Sequence, residues 1–165
     1  MQRRTLLLVS TAGLLAGCGF ALRGSQRFAF GSIASNFAES SSLGQELMRN
    51  IESGGAVRVR RDGADAAKAE VFLDVLTDQR EKTVVGVGVA GQVREFQLRQ
   101  RLVFRLRNAA GAELIPQTEL LQVRDVAFNE TAVLAKESEE ALLYRNMQSD
   151  IVQQVLRRLG TLKSL

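Results

Sequence analysis

The stretch Phe96-Gln97-Leu98-Arg99-Gln100-Arg101-Leu102-Val103-Phe104-Arg105-Leu106-Arg107 alternates apolar with basic or polar side chains almost without a break. Successive side chains of an extended backbone point to opposite sides, so Phe96, Leu98, Leu102, Phe104 and Leu106 share one face, with Gln100 the one interruption. Gln97, Arg99, Arg101, Arg105 and Arg107 share the other. A slip of one residue would move the whole apolar row into water, so the pattern fixes a register as well as a strand. The rest of the chain must supply what pairs with this strand and what covers its apolar face.

Upstream, Val71, Leu73, Val75 and Thr77 alternate with Glu70, Phe72, Asp74, Leu76 and Asp78, which predicts a second strand with one buried face. Between the two, residues 84–91 alternate valine with glycine and leave few side chains to pack, which predicts a flexible hairpin end. Downstream, a turn signal over 108–111 leads to a return strand over 119–128 whose faces are both partly apolar, as in a strand covered on two sides. Nearer the N-terminus, Phe28, Phe30 and Ile33 predict a first strand over 26–33. Ser40-Ser41-Ser42 then opens a helix in which Leu43, Leu47, Met48 and Ile51 recur at helical spacing until Gly54-Gly55, and residues 57–59 form a brief strand. The last element is a helix over about 136–159 with the stripe Leu143, Met147, Ile151, Val155 and Leu159. Glu137, Glu139 and Glu140 at its start and Arg157 and Arg158 at its end complement the helix dipole. Burying all these stripes together predicts an α+β two-layer sandwich, with two helices packed on one face of a mixed, mostly antiparallel sheet of about four strands.

Composition narrows the function. A chain of 165 residues has room for one core. It contains no histidine, which removes the commonest general base and metal ligand, and with it every Ser-His or Cys-His dyad. No tryptophan and one tyrosine give little on which nucleic-acid bases could stack. Ser40 to Ser42 lack an activating base, and the valine-glycine run lacks a phosphate-loop lysine. The residues therefore point to neither an enzyme nor a metal or cofactor.

The single cysteine, Cys18, has no partner for a disulfide within the chain. It closes a basic start with Arg3 and Arg4, an apolar run over 5–15, and the small-residue approach Leu15-Ala16-Gly17. The run is too short for a hydrocarbon core about 30 Å thick and reads as a signal peptide over 1–17. Its removal lowers the formal net charge from +4 to +2. The order looks like a lipobox and is similar to that of bacterial lipoproteins, which implies that Cys18 carries lipid, residues 18–25 form a tethered linker and 26–165 form the domain. Gly19, where inner-membrane lipoproteins often carry Asp, favours the outer membrane.

Two charged groups are candidates for binding. Guanidinium groups pair bidentately with phosphates, so the row Arg99, Arg101, Arg105 and Arg107 suits an anionic amphiphile; the competing expectation is a solvated face on which Glu70, Asp74 and Asp78 pair with it across the strands. The acids of the last helix are better explained by the dipole than by a metal.

Several segments together resemble the lipopolysaccharide-assembly lipoprotein family LptE: Cys18-Gly19-Phe20-Ala21-Leu22-Arg23-Gly24, Arg94-Glu95-Phe96-Gln97-Leu98, Leu134-Ala135-Lys136-Glu137, and the terminal helix from Tyr144-Arg145-Asn146-Met147 to Gln153-Gln154-Val155-Leu156-Arg157-Arg158-Leu159. The resemblance implies a lipid-anchored protein on the periplasmic side of the outer membrane. It implies further that the domain plugs the lumen of the LptD β-barrel, assists the barrel's assembly and binds lipopolysaccharide for insertion into the outer leaflet. Family contacts near the start of the last helix match Lys136. Those near the strand hairpin fall at Val89 here, with Arg94 and Arg80 nearby. The lipopolysaccharide-binding candidates are thus Lys136, Arg94, Arg99, Arg101 and Arg105. The alternative is an auxiliary lipoprotein of a lipid-transporting ABC system or another envelope complex; an envelope hydrolase or cell-wall-binding module ranks behind both.

Overall fold

The structure is a computed structural model that describes residues 27–61, 63–129 and 133–164. The segments expected as a signal peptide (1–17) and as a tethered linker (18–25), with Cys18, lie outside the described residues. Chain order is β1 (Ser32–Ser35), α1 (Ser42–Ser53), β2 (Arg58–Arg60), the short α2 (Gly63–Ala66), β3 (Val71–Val87), β4 (Val93–Asn108), β5 (Glu113–Ala127) and α3 (Val133–Gly160). The five strands form one sheet in the order β2-β1-β3-β4-β5. β1 runs parallel to both β2 and β3, while β3, β4 and β5 form an antiparallel meander. The expected two-layer α+β sandwich with a mixed sheet is therefore present, and the brief strand after α1 raises the strand number to five.

Local sequence explains the elements. The Ser41 hydroxyl caps α1 by accepting the Gly44 N–H at 2.9 Å, and the helix ends where Gly54 and the left-handed Gly55 (φ 71°) turn the chain toward β2. Its apolar stripe of Leu43, Leu47, Met48 and Ile51 is buried against the sheet and α3. On β4, Leu98, Leu102, Phe104 and Leu106 are fully buried on the helix side, in the register their alternation predicts. Burying each such side chain contributes about 1.5–3 kcal/mol before chain entropy is subtracted. Phe30 also enters the core and stacks on Phe28 at 5.3 Å between ring centres, although both precede β1. The first strand is thus later and shorter than the expected 26–33, because these rings pack without a strand partner.

Three further boundaries differ from the sequence expectation. A bulge in β3 between Val75 and Thr77 inserts Leu76 and swaps the faces beyond it, so Thr77 pairs with Val103 on the open side instead of continuing the buried row of Val71 and Leu73. The valine-glycine run is strand as far as Val87, because β4 supplies a backbone partner to each turn of the pleat, and only the tip at 88–92 is a turn. Helix α3 begins at Val133, ahead of the expected 136, and no acidic residue falls in its first turn. Glu139 and Glu140 instead pair with Lys136 and Lys82, because the dipole effect fades within one turn.

The core is in two parts. The larger gathers α1, the C-terminal half of α3 and the sheet around Ile33, Leu73 and Phe104. The smaller joins Leu98, Val126 and Met147 with Leu143 and Tyr144. Between them lies a polar layer: Gln148 accepts from Ser42 and Arg80 and donates to Glu46, while buried Gln100 finds no hydrogen-bond partner for either end of its amide among the described residues.

Candidate functional site

Both long helices lie on one side of the sheet, so the outer face of β3, β4 and β5 is left open. The arginine row stands on it. Arg101 and Glu119 of β5 meet fork to fork, at 2.8 and 3.1 Å. This hydrogen-bonded pairing holds the Glu119 carboxyl below its ordinary value and raises Arg101, so both are charged at neutral pH. Arg105 and Arg107 converge on one oxygen of Asp74, each at 3.0 Å, and Arg107 also lies 4.3 Å over the Phe72 ring. Arg99 is exposed and makes no ion pair among the described residues.

Of the three acids expected to oppose the row, Asp74 alone does so. Glu70 accepts the Gly31 N–H at 2.8 Å, and Asp78, turned to the helix side by the bulge, accepts from Ser41 at 2.6 Å. Glu119 takes the place expected of those acids, and its role depends on a β4–β5 register that strand alternation does not specify. Beside Arg99 and Arg101 the cross-strand neighbours on this face are Val123 and Leu121. Leu121 is 46% exposed, so β5 is not covered on both sides by this chain. A shallow cavity of about 240 Å³ opens between Glu81, Arg99, Arg101, Glu119 and Leu121.

A second region lies at the far end of the β3–β4 hairpin. There Val84, Val85, Val87 and Val89 are exposed, as are Val133, Leu134 and Leu142 of α3. The two sets belong to one end of the molecule. Lys82 binds Glu140 at 2.6 Å and lies 4.3 Å from the centre of Phe96, Tyr144 donates to the Glu81 carbonyl at 2.7 Å, and Phe128 packs edge-on against Phe96. Lys136 pairs with Glu139 at 2.8 Å, one turn along its own helix. Arg94 is exposed beside the hairpin turn, where a side chain on Gly88 would meet its Nε at 3.1 Å. The sequence candidates are thus split: Arg94 and Lys136 belong to the hairpin end, and Arg99, Arg101 and Arg105 to the open face. Lys82 was missed, because its placement on the helix side follows from the bulge.

With this geometry the chain matches, over residues 30–159, the family described as LptE, lipopolysaccharide-assembly. The chain belongs to the LptE family. That match spans every strand and nearly all of α3, and membership gives the chain a role in lipopolysaccharide assembly. Among solved structures this LptE-family chain is similar to lipoprotein B of Nitrosomonas europaea, at 34% identity and a TM-score of 0.69, with 86% of this chain and 90% of that one covered. It shares its fold with a minor lipoprotein of Acinetobacter baumannii (16% identity, TM-score 0.62, 81% and 93% covered). The rare lipoprotein B of Shewanella oneidensis is a further structural match (21% identity, TM-score 0.61, 79% and 92% covered). No curated protein matches the chain significantly.

Proposed function

We propose that the domain is a non-catalytic plug and assembly factor for an LptD-like outer-membrane β-barrel, tethered through lipid on Cys18 and assisting lipopolysaccharide insertion into the outer leaflet. Family membership supports the assembly role. The observation that carries the barrel is the one-sided covering of the long strands: β3, β4 and β5 present an open face of arginine-carboxylate pairs with Leu121 among them, and the hairpin end adds a group of exposed valines and leucines. Large barrels have polar lumens that are filled by plugs, and a mixed polar face with an apolar tip suits such a wall better than bulk water.

Lipopolysaccharide contact is assigned to Arg94 and Arg99, whose guanidinium groups have no carboxylate partner among the described residues, with Arg101, Arg105 and Lys136 able to exchange their carboxylates for lipid phosphates. Extraction of the native protein in mild detergent tests the reading. Copurification with a heat-modifiable barrel in equal amounts is the expected result. Recovery as a free monomer from cells that hold the barrel, or with inner-membrane transporter subunits and no barrel, would overturn it. In the complex, Lys136→Ala and the double reversal of Arg99 and Arg101 to Glu should weaken lipopolysaccharide binding while the barrel stays bound; unchanged lipid binding in both would remove these residues from the site.

A further inference from the structure

We infer that the cavity at the β2 edge of the sheet is a binding site for a small anionic amphiphile, a carboxylate or phosphate on a short apolar chain. The inference goes beyond the proposed function, because this cavity is on the helix side at the β2 edge, three strands away from the arginine row of β4. Its volume is about 460 Å³, within the range of small-molecule sites.

Its position follows from topology. β1, α1 and β2 form a parallel crossover unit, and the cavity lies where the two parallel strands end, between Ser35 of β1, Arg60 of β2 and the loop into α1. Crevices outside the carboxyl ends of parallel strands are the usual ligand sites of open sheets, because the chain there diverges into loops and leaves space.

The lining has two chemistries. Phe37, Ala38 and Met48 provide an apolar floor. Phe37 packs so close to α1 that a side chain on Gly44 would come within 2.6 Å of it, so the floor depends on a glycine at that position. Arg49, Arg60 and Arg61 provide the cationic wall, with Glu39 opposing them. Asp65 engages one terminal nitrogen of Arg60, and Glu52 engages Arg61 at 2.9 Å. Two groups remain: Arg49 is exposed with no carboxylate partner among the described residues, and Asp65 engages only one of the two terminal nitrogens of Arg60. An anionic head seated there would be held by both guanidinium groups while its chain covered Phe37 and Met48.

The three methionines of the chain, Met1, Met48 and Met147, make the test direct. Met48 lines the cavity, whereas Met147 belongs to the smaller core cluster. Full-length protein with ¹³C-methyl methionine in zwitterionic lipid nanodiscs would be titrated with octanoate, octyl phosphate, octanol and inorganic phosphate. The Met48 methyl should move saturably with octanoate, octyl phosphate or both, which tells a carboxylate from a phosphate source, and Met147 should stay. Arg60→Ala with Arg49→Ala should weaken that binding about tenfold or more, and Ala38→Trp should block it. An equal response to octanol or to inorganic phosphate, equal movement of Met147, or an unaltered affinity in the arginine variant would overturn the site.

Discussion

At the scale of single residues, Tyr144 ties the last helix to the long hairpin. Its hydroxyl donates to the Glu81 carbonyl at 2.7 Å, and Arg80 stands 5.4 Å from the ring centre. Burial pushes the phenol above its ordinary value, and the nearby Glu140 carboxylate adds to the shift. A raised pKa in the folded state means that the contact contributes fully below the unfolded value of about 10 and is lost as pH rises through the folded one. Because Tyr144 is the only tyrosine and tryptophan is absent, alkaline ultraviolet titration reports this residue alone. The expected midpoint is above that of a free tyrosine, with loss of the bond to Glu81 accompanying ionisation; an ordinary midpoint would mean the ring is solvated. None of this was visible in the helical stripe, which identifies Tyr144 as a neighbour of Leu143 and no more.

At the scale of elements, α1 was legible because its cap and its apolar period agree: Ser41 precedes the run, and Leu43, Leu47, Met48 and Ile51 fall on one side. What the spacing could not give is why Gly44 sits in its first turn. Alanine would raise intrinsic helix propensity by about 1 kcal/mol, but its methyl would meet the near end of the Phe37 side chain at 2.6 Å. Overpacking of this kind costs about 1–3 kcal/mol, so Gly44→Ala should lower the urea midpoint despite the better propensity. A midpoint that rises would show that the ring moves freely. The strands were legible to different degrees for a related reason. β4 carries its whole register in its alternation, whereas β3 breaks its own at Leu76, and a bulge is a property of two strands that neither records alone.

At the scale of the whole molecule, the sheet has a short parallel edge and a long antiparallel hairpin. The 17 residues of β3 extend about 55 Å at ~3.3 Å each, far beyond the four-residue β1. Most of the core lies at the short end, and the polar layer of Gln100 and Gln148 separates it from the small cluster under the first half of α3. Local opening follows buried apolar contact, so amides over 139–147 should exchange with solvent through openings of lower free energy than those over 151–159. Equal protection along α3 by native-state hydrogen exchange would mean that the two clusters act as one.

The sequence by itself determined the α+β class, both long helices, the register of β4 and the segregation of arginine from leucine across it, because each follows from a period read along one segment. The tertiary structure decided which carboxylates meet those arginines, the parallel pairing of β1 between β2 and β3, and the cavity at their ends. These depend on contacts between segments far apart in the chain, whose relative register no single segment encodes.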